Sequence, residues 1–183
     1  MRVVVGITGS SGAIYAVDFL KRCPGDKFLV VSKWGKALLK DEVNLTENDL
    51  LPYVKRQFAN SDLTAPIASG SNHIDAYVIL PCSTSTLGKI ASGIGDTLIT
   101  RTAQVALKER HKLILCVRET PLSTLSLEQC AQLSRYGAVI MPISPPLYFV
   151  PKTVDAYVGA FTDKVLTALG IRKERGWREE ELE

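Results

Sequence analysis

The chain opens on an unbroken apolar run. In residues 2–8, RVVVGIT, hydrophobic positions follow one another without alternation, which predicts a strand covered on both faces, as in a parallel sheet. Residues 12–22 change to a helical period, with Ile14, Ala16, Phe19 and Leu20 on the apolar side, and Pro24-Gly25 ends that helix. A second strand is predicted over 27–31 and a short helix over 33–41. A longer helix is predicted from Thr46, where Thr46 and Asp49 match a capping box and Pro52 falls in a tolerant first turn.

A polar, small-residue segment, NSDLTAPIASGSNH, leads to the strand AYVILP. CSTSTLGKIASG reads as a turn and helix, DTLITRTAQVALKER as a helix with Leu98, Ala103, Val105, Ala106 and Leu107 on its apolar side, and KLILCV as a strand. SLEQCAQLSRYG is predicted helical, with Ser126 as N-cap, Gln129 completing a capping box and Gly137 as C-cap. AVIMP is a further strand, and residues 153–169 form a closing amphipathic helix. Strands alternating with helices predict an α/β fold, a doubly wound parallel sheet of the Rossmann or flavodoxin kind. No internal repeat or linker divides the chain, so one domain is expected over 1–172, followed by a charged tail over 173–183.

Composition narrows the function classes. With 22 basic and 19 acidic residues the net charge is +3, and no basic run interleaved with aromatics points to nucleic acid. The N-terminus reads as a first strand and not as a signal peptide, and no apolar stretch approaches the roughly 20 residues that span a bilayer. Cys23, Cys82, Cys116 and Cys130 lack CxxC spacing and read as buried thiols in a reducing cytoplasm. His73 and His111 are assigned to loop and surface, and no metal site is expected.

Ligands in doubly wound folds collect outside the carboxyl ends of the strands. Those positions hold Gly9, Ser10 and Ser11; Ser32 and Lys33; Ser83, Thr84, Ser85 and Thr86; Arg118 and Glu119; and, after the last strand, Tyr148. The opening G-x-x-G-x-x-G is one residue off the dinucleotide pattern, and the second strand ends in Ser32-Lys33 where an acid would hold a ribose. It therefore reads either as a phosphate turn or as a device for close helix packing. Four consecutive hydroxyls at a helix start exceed the needs of an N-cap and suit an anion.

Arg101 and Lys108, seven apart, share a helix face that is either a binding surface or a solvated helix end. Arg118-Glu119 is either a phosphate fork with a proton donor or a structural ion pair. Glu42 is either a surface charge or a second acid/base.

Taken together, GITGSSGAIYA, VSKWGKALLKDE, ASGSNH, LPCSTSTL, TRTAQVALKERHKLILCVRETPLS, GAVIMPISPPLYFVP and LGI resemble the UbiX-type flavin prenyltransferases, in order over nearly the whole chain, as far as Ile171. The resemblance implies a metal-independent enzyme that transfers a dimethylallyl group from dimethylallyl phosphate to N5 of reduced FMN and then closes a fourth ring. Its product, prenylated FMN, would serve a UbiD-type decarboxylase. It implies FMN contacts from Gly9, Ser10, Ser11, Ser32, Ser83, Thr84, Ser85, Thr86 and Arg118. It places Lys108, Arg118, Tyr148 and Lys164 around the prenyl phosphate, with Arg101 in support and Ser11 close to the reacting phosphate. Glu119 would protonate the leaving phosphate and Glu42 would serve later proton transfers. A homo-oligomer, a dodecamer with sites at subunit interfaces, is implied as well.

Two positions depart from that pattern and a third follows it. Lys164 replaces an expected arginine, keeping the charge without the bidentate fork, which leaves the choice between monophosphate and diphosphate donors open. Ser10 replaces a usual alanine, and Trp177 corresponds to a tryptophan that covers the site. Two rivals remain. A cysteine-type FMN decarboxylase of the wider family would need a catalytic histidine and an Asn-rich PxMNxxMW stretch where LPCSTSTL stands. A non-catalytic flavin-binding module would have no use for Glu42, Lys108, Arg118 and Glu119 together.

Overall fold

The computed structural model describes residues 1–148, 150–171 and 178; Trp177 and nearly all of the expected tail lie outside the described residues. Strands β1 (Arg2–Ile7), β2 (Asp26–Val31), β3 (Arg56–Ala59), β4 (Ala76–Cys82), β5 (Lys112–Val117) and β6 (Val139–Ile140) form one sheet in the order β3-β2-β1-β4-β5-β6. Every pairing is parallel. Helices α1 (Ala13–Arg22), α2 (Lys33–Val43), α3 (Thr84–Ala91), α4 (Leu98–Glu109), α5 (Thr124–Arg135) and α6 (Val154–Ala168) supply the crossovers and the closing element.

The uninterrupted apolar run of β1 divides itself between two cores. Val3, Val5 and Ile7 pack with Phe19, Leu20, Phe161 and Val165 on one face, and Val4 packs with Ile99, Ala103 and Leu113 on the other. Burial on both faces is what a strand without alternation requires. The strand order reverses between β1 and β4, so a crevice opens at their carboxyl ends.

Three expectations need correction. The helix from Thr46 is only a seven-residue 3₁₀ segment, Glu47–Tyr53, although its capping box forms. Pro52 removes a backbone donor, and the chain then extends into β3, an edge strand whose four residues include only Phe58 buried. The N-cap of α5 is Ser123, whose Oγ accepts from Ser126 N at 3.2 Å. The helix thus begins almost a turn before Ser126, and Gln129 instead lies against Gly88. The strand at AVIMP shortens to Val139–Ile140.

Cys23, Cys82 and Cys116 are buried while Cys130 is only half-buried, and burial raises the Cys82 and Cys116 thiols, which suits packing and not nucleophilic work. His73 is exposed, but His111 is not a plain surface residue. Its ring stacks on buried Tyr77 and its Nδ1 is buried without a hydrogen-bond partner among the described residues.

Candidate active site

Side-chain staples align the three central strand ends. Thr8 Oγ1 donates to the Pro81 carbonyl at 2.7 Å and accepts from Ser83 N at 2.8 Å, tying β1 to β4. Ser10 Oγ donates to the Arg118 carbonyl at 2.6 Å, tying the turn after β1 to the end of β5. Ser10 is therefore buried and structural, while its neighbour Ser11 is exposed at the turn. Gly9 is required by close approach, because a Cβ there would overlap the Trp34 Cβ and stand 3.3 Å from its Cγ. Gly12 takes φ +115, which favours glycine.

The amides that open α1 are already used. Glu42 Oε2 accepts from both Gly12 N and Ala13 N at 2.8 Å, placing a carboxylate where a ligand phosphate would have been expected. The glycine turn is thus capped from within the chain, and Glu42 is fixed beside Ser11. The other two helix starts are arranged differently. Ser32 Oγ accepts from Gly35 N at 3.0 Å at the start of α2. Ser83 Oγ accepts from Thr86 N at 3.3 Å and lies 3.1 Å from the Ser85 and 3.0 Å from the Thr86 hydroxyl.

Both starts line one cleft of about 230 Å³, with Gly9, Trp34, Ser85 and Thr86 in its walls. Apart from Gly35 N and Thr86 N, which the N-cap hydroxyls hold, their first-turn amides have no intrahelical carbonyl partners, and the two helix dipoles favour negative charge there. Lys33 reaches over the Trp34 ring at 5.5 Å, and Lys89, also in the wall, is paired with Asp96 at 2.6 Å. Thr84 begins α3 but does not line this cleft.

Arg118 and Glu119 follow β5 as exposed side chains. No ion pair joins them among the described residues, and Glu119 Oε1 accepts only from Thr120 N, at 3.0 Å. The structural-pair alternative is therefore not realised. Tyr15 stands close by on the first turn of α1, its ring edge-on to Phe161 at 5.4 Å. Burial, then Tyr157, raises the Tyr15 phenol, and the Arg118 guanidinium opposes the shift.

Beyond Phe161 lies a separate, mainly apolar pocket of about 360 Å³ lined by Met141, Pro142, Ser144, Pro146, Phe161 and Lys164. Lys164 Nζ sits 5.9 Å from the Tyr148 ring centroid. Arg101 and Lys108 do share a face of α4, but they line a third cleft of about 480 Å³ with the 69–71 loop. Within one chain they are not brought to the cleft of Gly9 and Ser85. Trp34, Lys89 and Tyr15 escaped the sequence reading; the exposed tryptophan in SKWG, unusual beside two lysines, was the available signal.

A family described as Flavoprotein matches residues 1–165. The chain is 44% identical over 172 residues to the flavin prenyltransferase UbiX of Thermoplasma acidophilum, covering 93% of this chain and 96% of that protein. The crystal structure of AnUbiX (PadA1) in complex with FMN and dimethylallyl pyrophosphate superposes with a TM-score of 0.91 at 34% identity, covering 97% and 98% of the two chains. A dodecameric FMN-dependent UbiX-like decarboxylase from Escherichia coli O157:H7 gives a TM-score of 0.94 at 37% identity, covering 97% and 100%. Sequence match and fold converge: the chain belongs to the Flavoprotein family, among the UbiX-type flavin prenyltransferases.

Proposed function

We propose that the chain transfers a dimethylallyl group from dimethylallyl phosphate to reduced FMN. The observation that carries this reading is the pairing of two environments at one sheet edge. One is a polar cleft between two helix starts; the other is an apolar pocket that bears, among the described residues, one cation, Lys164. The first suits the phosphate of a flavin mononucleotide, and the second suits a short branched hydrocarbon whose phosphate needs a positive partner.

The residues present fit FMN. Because Glu42 already occupies the α1 amides, the phosphate belongs between α2 and α3, held by Ser32, Ser83, Ser85 and Thr86 with the helix amides. Gly9 lets the backbone come close to the flavin. Reduced FMN supplies the nucleophilic N5 and the ring position that closes the fourth ring. The chain's own residues then have separate tasks. Arg118 and Lys164 stabilise the charge that develops on the departing phosphate, Tyr148 packs over Lys164, and Glu119, in no ion pair among the described residues, delivers a proton to it. Glu42, fixed beside Ser11, is in place for later proton transfers.

Arg101 and Lys108 serve this chemistry across a subunit boundary. Their cleft is separate from the flavin cleft of the same chain, so they complete the site of a neighbouring copy in a homo-oligomer, a dodecamer as in the Escherichia coli relative. Its product, prenylated FMN, passes to a UbiD-type decarboxylase in the cytoplasm, where free thiols persist. The cysteine-decarboxylase alternative lacks its histidine, since His73 and His111 precede β4 and β5 at the opposite edge of the sheet.

The test is anaerobic incubation with reduced FMN and either dimethylallyl phosphate or the diphosphate, followed by mass and absorption spectra of the extracted flavin. A prenylated flavin is expected. Unmodified FMN recovered from folded, FMN-loaded protein with both donors overturns the reading.

A further inference from the structure

The cleft that holds Arg101 and Lys108 contains a third ionised side chain with no part in the reaction described so far. Glu109 is the last residue of α4, and its Oε1 accepts a hydrogen bond from Lys108 Nζ. The Lys108 hydrogen bond and charge, with a smaller contribution from His111, hold the Glu109 carboxyl below the usual carboxylate range, so it is an anion at neutral pH.

Its place is set from the other side by the loop of ASGSNH. A Cβ on Gly70 would overlap Glu109 Oε1 and stand 2.7 Å from its Cδ, so only a residue without a side chain leaves the carboxylate that seat. The same loop touches the second cation, for the Ala68 carbonyl accepts from Arg101 Nε at 3.4 Å. Ser69 and Ser71 bond hydroxyl to hydroxyl at 2.8 Å and brace the loop between these two contacts.

We propose that Glu109 is a positioning residue for prenyl transfer: seated on Gly70, it holds one N–H of Lys108 and leaves the ammonium's other donors for a phosphate in the cleft shared with Arg101. This rests on the reading of Lys108 as a phosphate-binding cation. An ammonium has three donors, so pairing with Glu109 does not exhaust it. Lysine's flexible stem loses rotamer freedom when it binds, and an anchor present beforehand removes much of that loss. The loop and the helix end are thereby one device, which gives the otherwise unused ASGSNH motif a purpose.

The experiment compares wild type with Lys108→Ala, Glu109→Ala, Glu109→Gln, Gly70→Ala and the Lys108→Ala/Glu109→Ala double variant, all loaded with FMN. Calorimetric Kd for dimethylallyl phosphate is measured beside KM and kcat, with FMN occupancy and melting temperature as controls. Glu109→Ala weakens Kd and raises KM about ten-fold while kcat stays within about two-fold. Glu109→Gln, which keeps an oxygen for Lys108, recovers most of that loss, and Gly70→Ala reproduces it. In the Lys108→Ala background, Glu109→Ala adds nothing further, because the carboxylate acts only through the lysine.

An unchanged Kd in Glu109→Ala, with Lys108→Ala weakened, overturns the role of Glu109 and leaves that of Lys108 standing. An unchanged Kd in Lys108→Ala removes both. An equal loss from Glu109→Ala with and without Lys108 marks a purely structural residue and also overturns the proposal.

Discussion

Glu42 caps the helix that Gly12 opens: one carboxylate oxygen accepts from the Gly12 amide, and from the Ala13 amide beside it, at 2.8 Å each. A residue thirty positions later in the chain thus occupies the anion site that the glycine turn creates. It also ties α2 to α1. Glu42→Gln keeps an acceptor oxygen but loses the charge facing the helix dipole, which costs about 0.3–1 kcal/mol. The melting temperature therefore falls by roughly 1–4 °C, while FMN stays bound and turnover drops. Release of FMN from this variant would mean that the carboxylate shapes the phosphate site instead of the turn.

The Ser10 hydroxyl is not idle. Because Ser10 Oγ donates to the Arg118 carbonyl at 2.6 Å in a nearly buried place, Ser10→Ala lowers stability by about 1 kcal/mol. Equilibrium urea unfolding followed by tryptophan fluorescence reads the change. Since the bond fixes the backbone that carries Arg118, affinity for the prenyl phosphate also weakens modestly. A stability equal to wild type shows that the carbonyl is satisfied by water.

Glu119 is exposed and, among the described residues, bonded only to the adjacent Thr120 amide, so its replacement leaves the fold untouched. Glu119→Gln removes the proposed proton donor and slows turnover by about 10²–10⁴-fold, with FMN occupancy and melting temperature unchanged. Stopped-flow absorbance of the reduced flavin separates the chemical step from binding. Loss of flavin along with activity would show that Glu119 is structural.

Asp49 gives a pH signature. The Thr46 hydroxyl, then the Thr46 amide, bond its carboxylate and lower its pKa from the ordinary 3.8. A carboxyl whose folded pKa is depressed contributes stability that is complete above its unfolded value and disappears as pH falls through the folded one. Wild type therefore loses this contribution below about pH 4, and Asp49→Asn has a flatter melting profile there. Parallel profiles for the two proteins between pH 2 and 6 would refute the assignment.

Much of this molecule was legible in its residues. The unbroken apolar runs of β1, β4 and β5 announced a parallel sheet because such strands have no polar face to turn to water. The helix-to-strand alternation announced its winding, and the hydroxyl-rich strand ends announced where ligands gather. Local patterns sufficed there because the information was local: period, caps and breakers. They failed where one position admits two local solutions. Ser123 and Ser126 both suit an N-cap, and only packing of Ser126 inward chose the earlier one. RQFA is too short and too polar to stand out, and it becomes β3 only because β2 offers its edge.

The division of the site was decided by tertiary structure alone. No pattern in the sequence says that Glu42 will fill the first helix start and leave the second and third to line one cleft. Nor does any spacing place Arg101 and Lys108 in a cleft apart from Gly9 while seating Glu109 on Gly70. Those are contacts between residues tens of positions apart, set by how crossover helices settle on the sheet. The sequence by itself determined the elements and the chemistry at their ends; the fold determined which of those ends face one another.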